Sequence, residues 1–140
     1  MAEFTAVTEQ EVQTNRSIIY NEVAVSGNCS ILHREGSGIV TLRGITNQCR
    51  ARFKISFGAN IAIPDGGTVD EISVAIAISG EPLGASTMIV TPAAVEEYQN
   101  VYASAFIDVP KGCCVQVSVD NTSTQEILVQ NANLIIERTA

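Results

Sequence analysis

The chain has 140 residues, 46% of them hydrophobic and 16% charged, with a formal net charge of −7. It is sized for one domain, too apolar for intrinsic disorder, and too acidic for a general binder of nucleic-acid backbones. No apolar run approaches the ~20 residues that cross a bilayer. The opening MAEFTAVTEQEVQ lacks the basic and apolar regions of a secretory signal, so synthesis in the cytosol is expected.

Residues 1–10 show no strong alternation and are expected to form a flexible N-terminal arm, with Phe4 and Val7 as its sizeable apolar groups. From residue 11 onward the dominant periodicity is two. Strands are predicted near 11–20, 23–33, 38–44 and 51–63, the last carrying Phe53, Ile55, Phe57, Ile61 and Ile63 on one parity. Further strands are predicted near 69–79, 84–91, 98–109, 113–121, 125–130 and 133–138. Turn signals separate them, including Gly36-Ser37-Gly38, Asp65-Gly66-Gly67, Gly80-Glu81-Pro82 and Pro110-Lys111-Gly112. Pro92 to Tyr98 is too short for an independent helix and is expected to give a turn or two at most. Short alternating strands at this spacing read as an all-β sandwich or barrel of residues 11–140, with about ten antiparallel strands.

Two strands are apolar on both faces. Ala75 and Ala77 lie opposite Val74 and Ile76, and Tyr102 and Phe106 lie opposite Val101, Ala103, Ala105 and Ile107. A sheet facing water normally shows clearly polar residues on that side. Either a symmetric oligomer covers the second face, or small residues are simply tolerated there.

The segments ISVAIAISGEPL, VYASAFIDVPKGCCVQVSV and NANLIIERT resemble jelly-roll heads of the tumour-necrosis-factor and complement-head superfamily. Within that group, HREGSGIVTLRG, NQCRARFKISFGANIAIP and VPKGCCVQVSVDNTS are similar to small proteins encoded by bacteriophages and prophages. The resemblance covers residues 11–140. It implies a jelly-roll sandwich assembled as a homotrimer and a structural role in the virion, as a head decoration or fibre-head component. The partners implied are the chain itself and a capsid or other virion protein, with neither nucleic acid nor membrane among them. On the same fold, a binding module for a host receptor, a glycan or a small anionic ligand between protomers is the alternative.

Chemistry is sparse. His33 is the single histidine, and Cys29 lies ~13 Å from it along a strand, too far for a base and its nucleophile. No enzyme activity and no cofactor are expected. The four cysteines, Cys29, Cys49, Cys113 and Cys114, have no zinc spacing and are expected to be reduced and partly buried. Adjacent Cys113 and Cys114 would point their sulfurs to opposite faces of a strand. Asp65, Asp70 and Glu71 around Gly66-Gly67 lack the ordered spacing of a calcium loop and read as a solvated turn. The N-x-[ST] triplets at Asn15, Asn28 and Asn121 are expected to be chance matches in a chain without a signal.

Charge gives one more feature. Residues 34–54 hold Arg34, Arg43, Arg50, Arg52 and Lys54 against the single acid Glu35, while residues 71–140 hold 2 basic and 8 acidic groups. This run, with Phe4 and Val7 of the arm, is the candidate docking surface for an acidic protein or small anion. The competing expectation pairs these cations with acids on neighbouring strands or protomers.

Overall fold

The computed structural model describes residues 1–140 except Asn28 and Glu35, so that one triplet site and the acid inside the basic run lie outside the described residues. The described residues form a two-sheet antiparallel sandwich, with 12 strands and one 3-10 turn at Gly84–Ser86 among them. One sheet runs β10 (Gln99–Pro110), β6 (Arg50–Ala62), β12 (Ile127–Arg138), β1 (Ala2–Ala6) and β3 (Glu22–Val25), with β2 (Gln10–Val12) also paired to β12. The other runs β4 (Ile31–His33), β5 (Val40–Arg43), β11 (Cys114–Asn121), β7 (Ile72–Ile78) and β8 (Glu81–Pro82), with β9 (Met88–Val90) on β7.

The core follows from alternation. On β6 the odd positions Ala51, Phe53, Ile55 and Phe57 are buried, and they meet Val117 and Val119 of β11 and Val74 and Ile76 of β7 between the sheets. Even positions of β6 from Arg50 to Asn60 face outward. At ~25 cal/mol per Å² of apolar surface removed from water, each such side chain contributes about 1.5–3 kcal/mol.

The expected flexible arm is a correction. Residues 2–6 form β1, threaded between β12 and β3, with Phe4 only 2% exposed. The pattern Ala2-Phe4-Ala6 against Glu3-Thr5 has a period of two, but two of its three inward residues are alanines, which weakened the signal. The domain therefore begins well before residue 11.

Other boundaries moved for backbone reasons. The predicted strand 11–20 shrinks to β2, because Asn15 adopts φ 63° and Arg16 N–H closes a turn on the Gln13 carbonyl. The predicted strand 23–33 divides into β3 and β4 in different sheets. Gly27 permits that crossing, since a Cβ there would lie 2.3 Å from the Ile31 carbonyl oxygen. Conversely, 125–130 and 133–138 are one strand, β12, continuous through a bulge at Asn131 with φ 55°. Residues 92–98 contain no helical turn.

Candidate assembly surface

The outward face of β6, β10 and β12 is graded along the strands. At one end Arg50 and Arg52 converge on Asp108, with Arg50 Nε 3.2 Å from Oδ2 and Arg52 donating two bonds of 2.7 and 3.1 Å. The next rungs pair Phe106 with Lys54, then Ser104 with Ser56, then Tyr102 with Gly58. At the far end Asn100 Nδ2 donates to Asn60 Oδ1 at 3.2 Å. Phe106 and Tyr102 are 64% and 63% exposed. The Tyr102 ring lies over Gly58, its Cδ2 3.7 Å from where a Cβ would stand. Hydrogen bonding with Ser56 and then Ser104 holds the Tyr102 phenol below its ordinary pKa.

These two rings sit on a 12-residue strand at the edge of its sheet. A long edge strand with unpaired backbone groups and exposed aromatics is an assembly template that monomeric proteins usually blunt. The other doubly apolar strand behaves differently. Ala75 and Ala77 are fully buried within the single chain, so β7 needs no partner to cover it.

The candidate docking residues do not converge. Phe4 is in the core, and Val7 is 55% exposed at the opposite end of β1 from Ala2. Arg34 lies beside the β4–β5 turn, on a cleft with Leu32, His33 and Ile39. Arg43 ends β5 in the other sheet, donating to the Cys29 carbonyl at 3.4 Å. Arg50 and Arg52 share the single carboxylate of Asp108, which the guanidinium of Arg52 holds below the usual carboxylate range, so the cluster keeps one positive charge. Lys54 lies beside Phe106 and opposite Glu137. Pairing with an acid on a neighbouring strand therefore accounts for Arg50 and Arg52, and no anion cleft lined by all five cations forms among the described residues.

The remaining candidates are structural. His33 packs its ring on Phe4 at a centroid distance of 4.4 Å, with Nε2 2.8 Å from the Ser37 carbonyl oxygen. It ends β4 at the level of Phe4, Leu134 and Phe57, whereas Cys49 lies before the start of β6, eight residues from Phe57 along that strand. Tyr20 is buried with its hydroxyl unpartnered, and burial, then the nearby Asp120 charge, pushes its phenol upward. Asp120 accepts from Ser17 at 2.8 Å and from Ser118 at 2.9 Å. Glu11 and Glu126 are hydrogen-bonded, which with partial burial and their mutual charge raises the Glu126 carboxyl. They line a cleft with Asp65 and Gln125, but no group of three His, Cys, Asp or Glu that could hold a metal lies together among the described residues.

The cysteines require a second correction. All four are free, as expected, but all four are exposed. Cys29 and Cys113 lie beside turns, Cys49 precedes β6, and Cys114 begins β11 on its outer side, so none reaches a core layer.

No family model matches the chain, and no curated protein matches it in sequence. Solved structures are similar to it in fold. The globular domain of a zebrafish complement 1qA protein gives a TM-score of 0.64 at 12% identity, covering 96% of this chain and 94% of that one. The Eiger TNF from S. frugiperda gives 0.73 at 12% identity, covering 99% and 91%. Murine APRIL gives 0.56 at 9% identity, covering 95% and 97%. The chain has a jelly-roll fold like that of these tumour-necrosis-factor and complement heads.

Proposed function

We propose that this chain is a non-catalytic, self-associating jelly-roll module: a homotrimer that forms part of a bacteriophage particle as a head decoration or fibre-head component. The carrying observation is the outward face of β10, where Tyr102 and Phe106 stand exposed on an open edge strand. Burying two aromatic side chains per protomer contributes several kcal/mol of apolar transfer to an interface, with the flanking polar rungs as its rim. Arg50, Arg52 and Asp108 on one side and Asn60 and Asn100 on the other form such a rim. Threefold order and the phage setting rest on the sequence segments that resemble phage-encoded heads. Docking onto the particle falls to the basic end, through Arg43 and Lys54, with Arg50 and Arg52 engaged by Asp108 and Phe4 removed from that role by its burial. Synthesis in the bacterial cytoplasm and release with the virion follow from this reading.

Two measurements test it. Purified native particles should contain the chain in fixed proportion to their capsid protein, and its absence from washed particles would sink the virion assignment. The double variant Tyr102→Glu, Phe106→Glu should keep its β-sheet circular dichroism and sediment as a monomer. A variant that remains fully assembled would remove β10 from the interface.

The same rings favour one further reading, since an exposed aromatic surface can stack a sugar. In that case the wild-type chain would be monomeric and bind glycans on an array through Tyr102 and Phe106.

A further inference from the structure

Free cysteine is among the most buried residue types, so exposure of all four requires an explanation. They lie at one end of the sandwich. Cys114 pairs in register with Arg43, whose N–H donates to Ser30 next to Cys29. Cys49 and Cys113 sit on two backbone segments locked to each other. Lys111 N–H donates to the Cys49 carbonyl at 3.0 Å, Gly112 N–H donates to the Gly44 carbonyl at 3.0 Å, and Gly44 N–H donates to the Cys113 carbonyl at 2.8 Å. The packing is close: a Cβ on Gly44 would stand 2.1 Å from the Pro110 carbonyl oxygen.

We infer that Cys49 and Cys113 are a thiol pair that closes into a disulfide under oxidising conditions, latching the entry of β6 to the β10–β11 turn. Alternation sets their direction. Carried one residue beyond β6 and β11, the alternation puts Cys49 on the parity of Ala51 and Phe53 and Cys113 on that of Val115 and Val117, both at the exposed end of the sandwich. The other pairings fail on geometry. Cys29 and Cys114 are separated by β5, and two strand spacings make ~10 Å, beyond the ~7 Å that a disulfide bridges. Cys114 has the outward parity, away from Cys113. Cys29 adjoins Ser30, which the Arg43 N–H ties to β5, so it too stands two strand spacings from Cys113 at the start of β11.

The chemistry balances with dioxygen as the oxidant. Two thiols lose two protons and two electrons, the S–S bond forms, and dioxygen is reduced to hydrogen peroxide. The pair stays open where glutathione and thioredoxin keep thiols reduced, and closes on transfer to an aerobic medium. Closure joins residues distant in sequence, so it restricts the unfolded chain and stabilises the fold.

The test is to oxidise the purified full chain with dissolved oxygen and catalytic copper–phenanthroline, alkylate with iodoacetamide, and map the peptides by mass. A monomer-mass chain short by two hydrogens is expected, with a Cys49–Cys113 cross-linked peptide and with Cys29 and Cys114 alkylated. Its melting temperature should rise by several degrees on oxidation, equally in the variant Cys29→Ser, Cys114→Ser, and not at all in Cys49→Ser. Four alkylated thiols, a Cys113–Cys114 bond or a link between chains would each overturn the latch.

Discussion

Phe4 packs on His33 and is 2% exposed, although it is only the fourth residue of the chain. Truncating such a ring removes its transfer free energy and leaves a cavity, so Phe4→Ala should cost about 3–5 kcal/mol by urea denaturation. A change below about 1 kcal/mol would return residues 2–6 to a loose end. Tyr20 gives the opposite expectation. Its hydroxyl is buried and unpartnered, so Tyr20→Phe removes a desolvated polar group without breaking a bond, and stability should hold or rise slightly. Glu126 gives a pH dependence. Its carboxyl is raised in the fold, chiefly by the hydrogen bond with Glu11, so its stabilisation is full below the unfolded glutamate value and is lost as pH rises through the folded one. Glu126→Gln should therefore raise the melting temperature at pH 7 and leave it nearly unchanged at pH 4. A lower melting temperature at pH 7 would contradict the pairing.

Strands with a mixed inward set were read less well than strands with a uniform one. The long β6 and β10 were legible because their length lets large residues such as Phe53, Ile55, Phe57 and Val101, Ile107, Val109 mark one parity despite intervening alanines. β1 was not, because alanines carry its inward side and the neighbours that bury it, β3 and β12, come from elsewhere in the chain. The break predicted between 130 and 133 followed the polar Gln130-Asn131, whereas Asn131 absorbs a positive φ as a bulge and the strand continues. Register was invisible in the sequence. Asp108 lies 56 residues from Arg52, and only the pairing of β6 with β10 brings them together, so the apparent cationic run looked free when part of it was not. The exposed face of Tyr102 and Phe106 was legible, because parity alone assigns it. The cysteines were not, because turns and strand ends rather than hydrophobicity decide their exposure. Deleting residues 2–6 should consequently lower thermal stability sharply, since it strips an interior strand from a six-stranded sheet and unpairs β3.

Across the whole molecule, charge is polarised along the strand axis. Arg43, Arg50, Arg52, Lys54, Lys111 and Arg138 outnumber Asp108 and Glu137 at the cysteine-bearing end, while Glu9, Glu11, Asp65, Glu96, Glu97 and Glu126 outnumber Arg16 toward the other. The 13-residue β6 spans ~40 Å, about five Debye lengths at physiological ionic strength, so a partner meets the charge of the end it approaches rather than the net −7. Docking through the basic end should then weaken as salt rises from 0.05 to 0.5 M, whereas an interface built on Tyr102 and Phe106 should not. That contrast separates the two surfaces. The central claim is self-association through the open edge of β10, and the mass in solution tests it most directly. Multi-angle light scattering at micromolar concentration and 0.5 M salt should give about three times the 14.9 kDa chain mass, and a value near the chain mass itself would contradict the account.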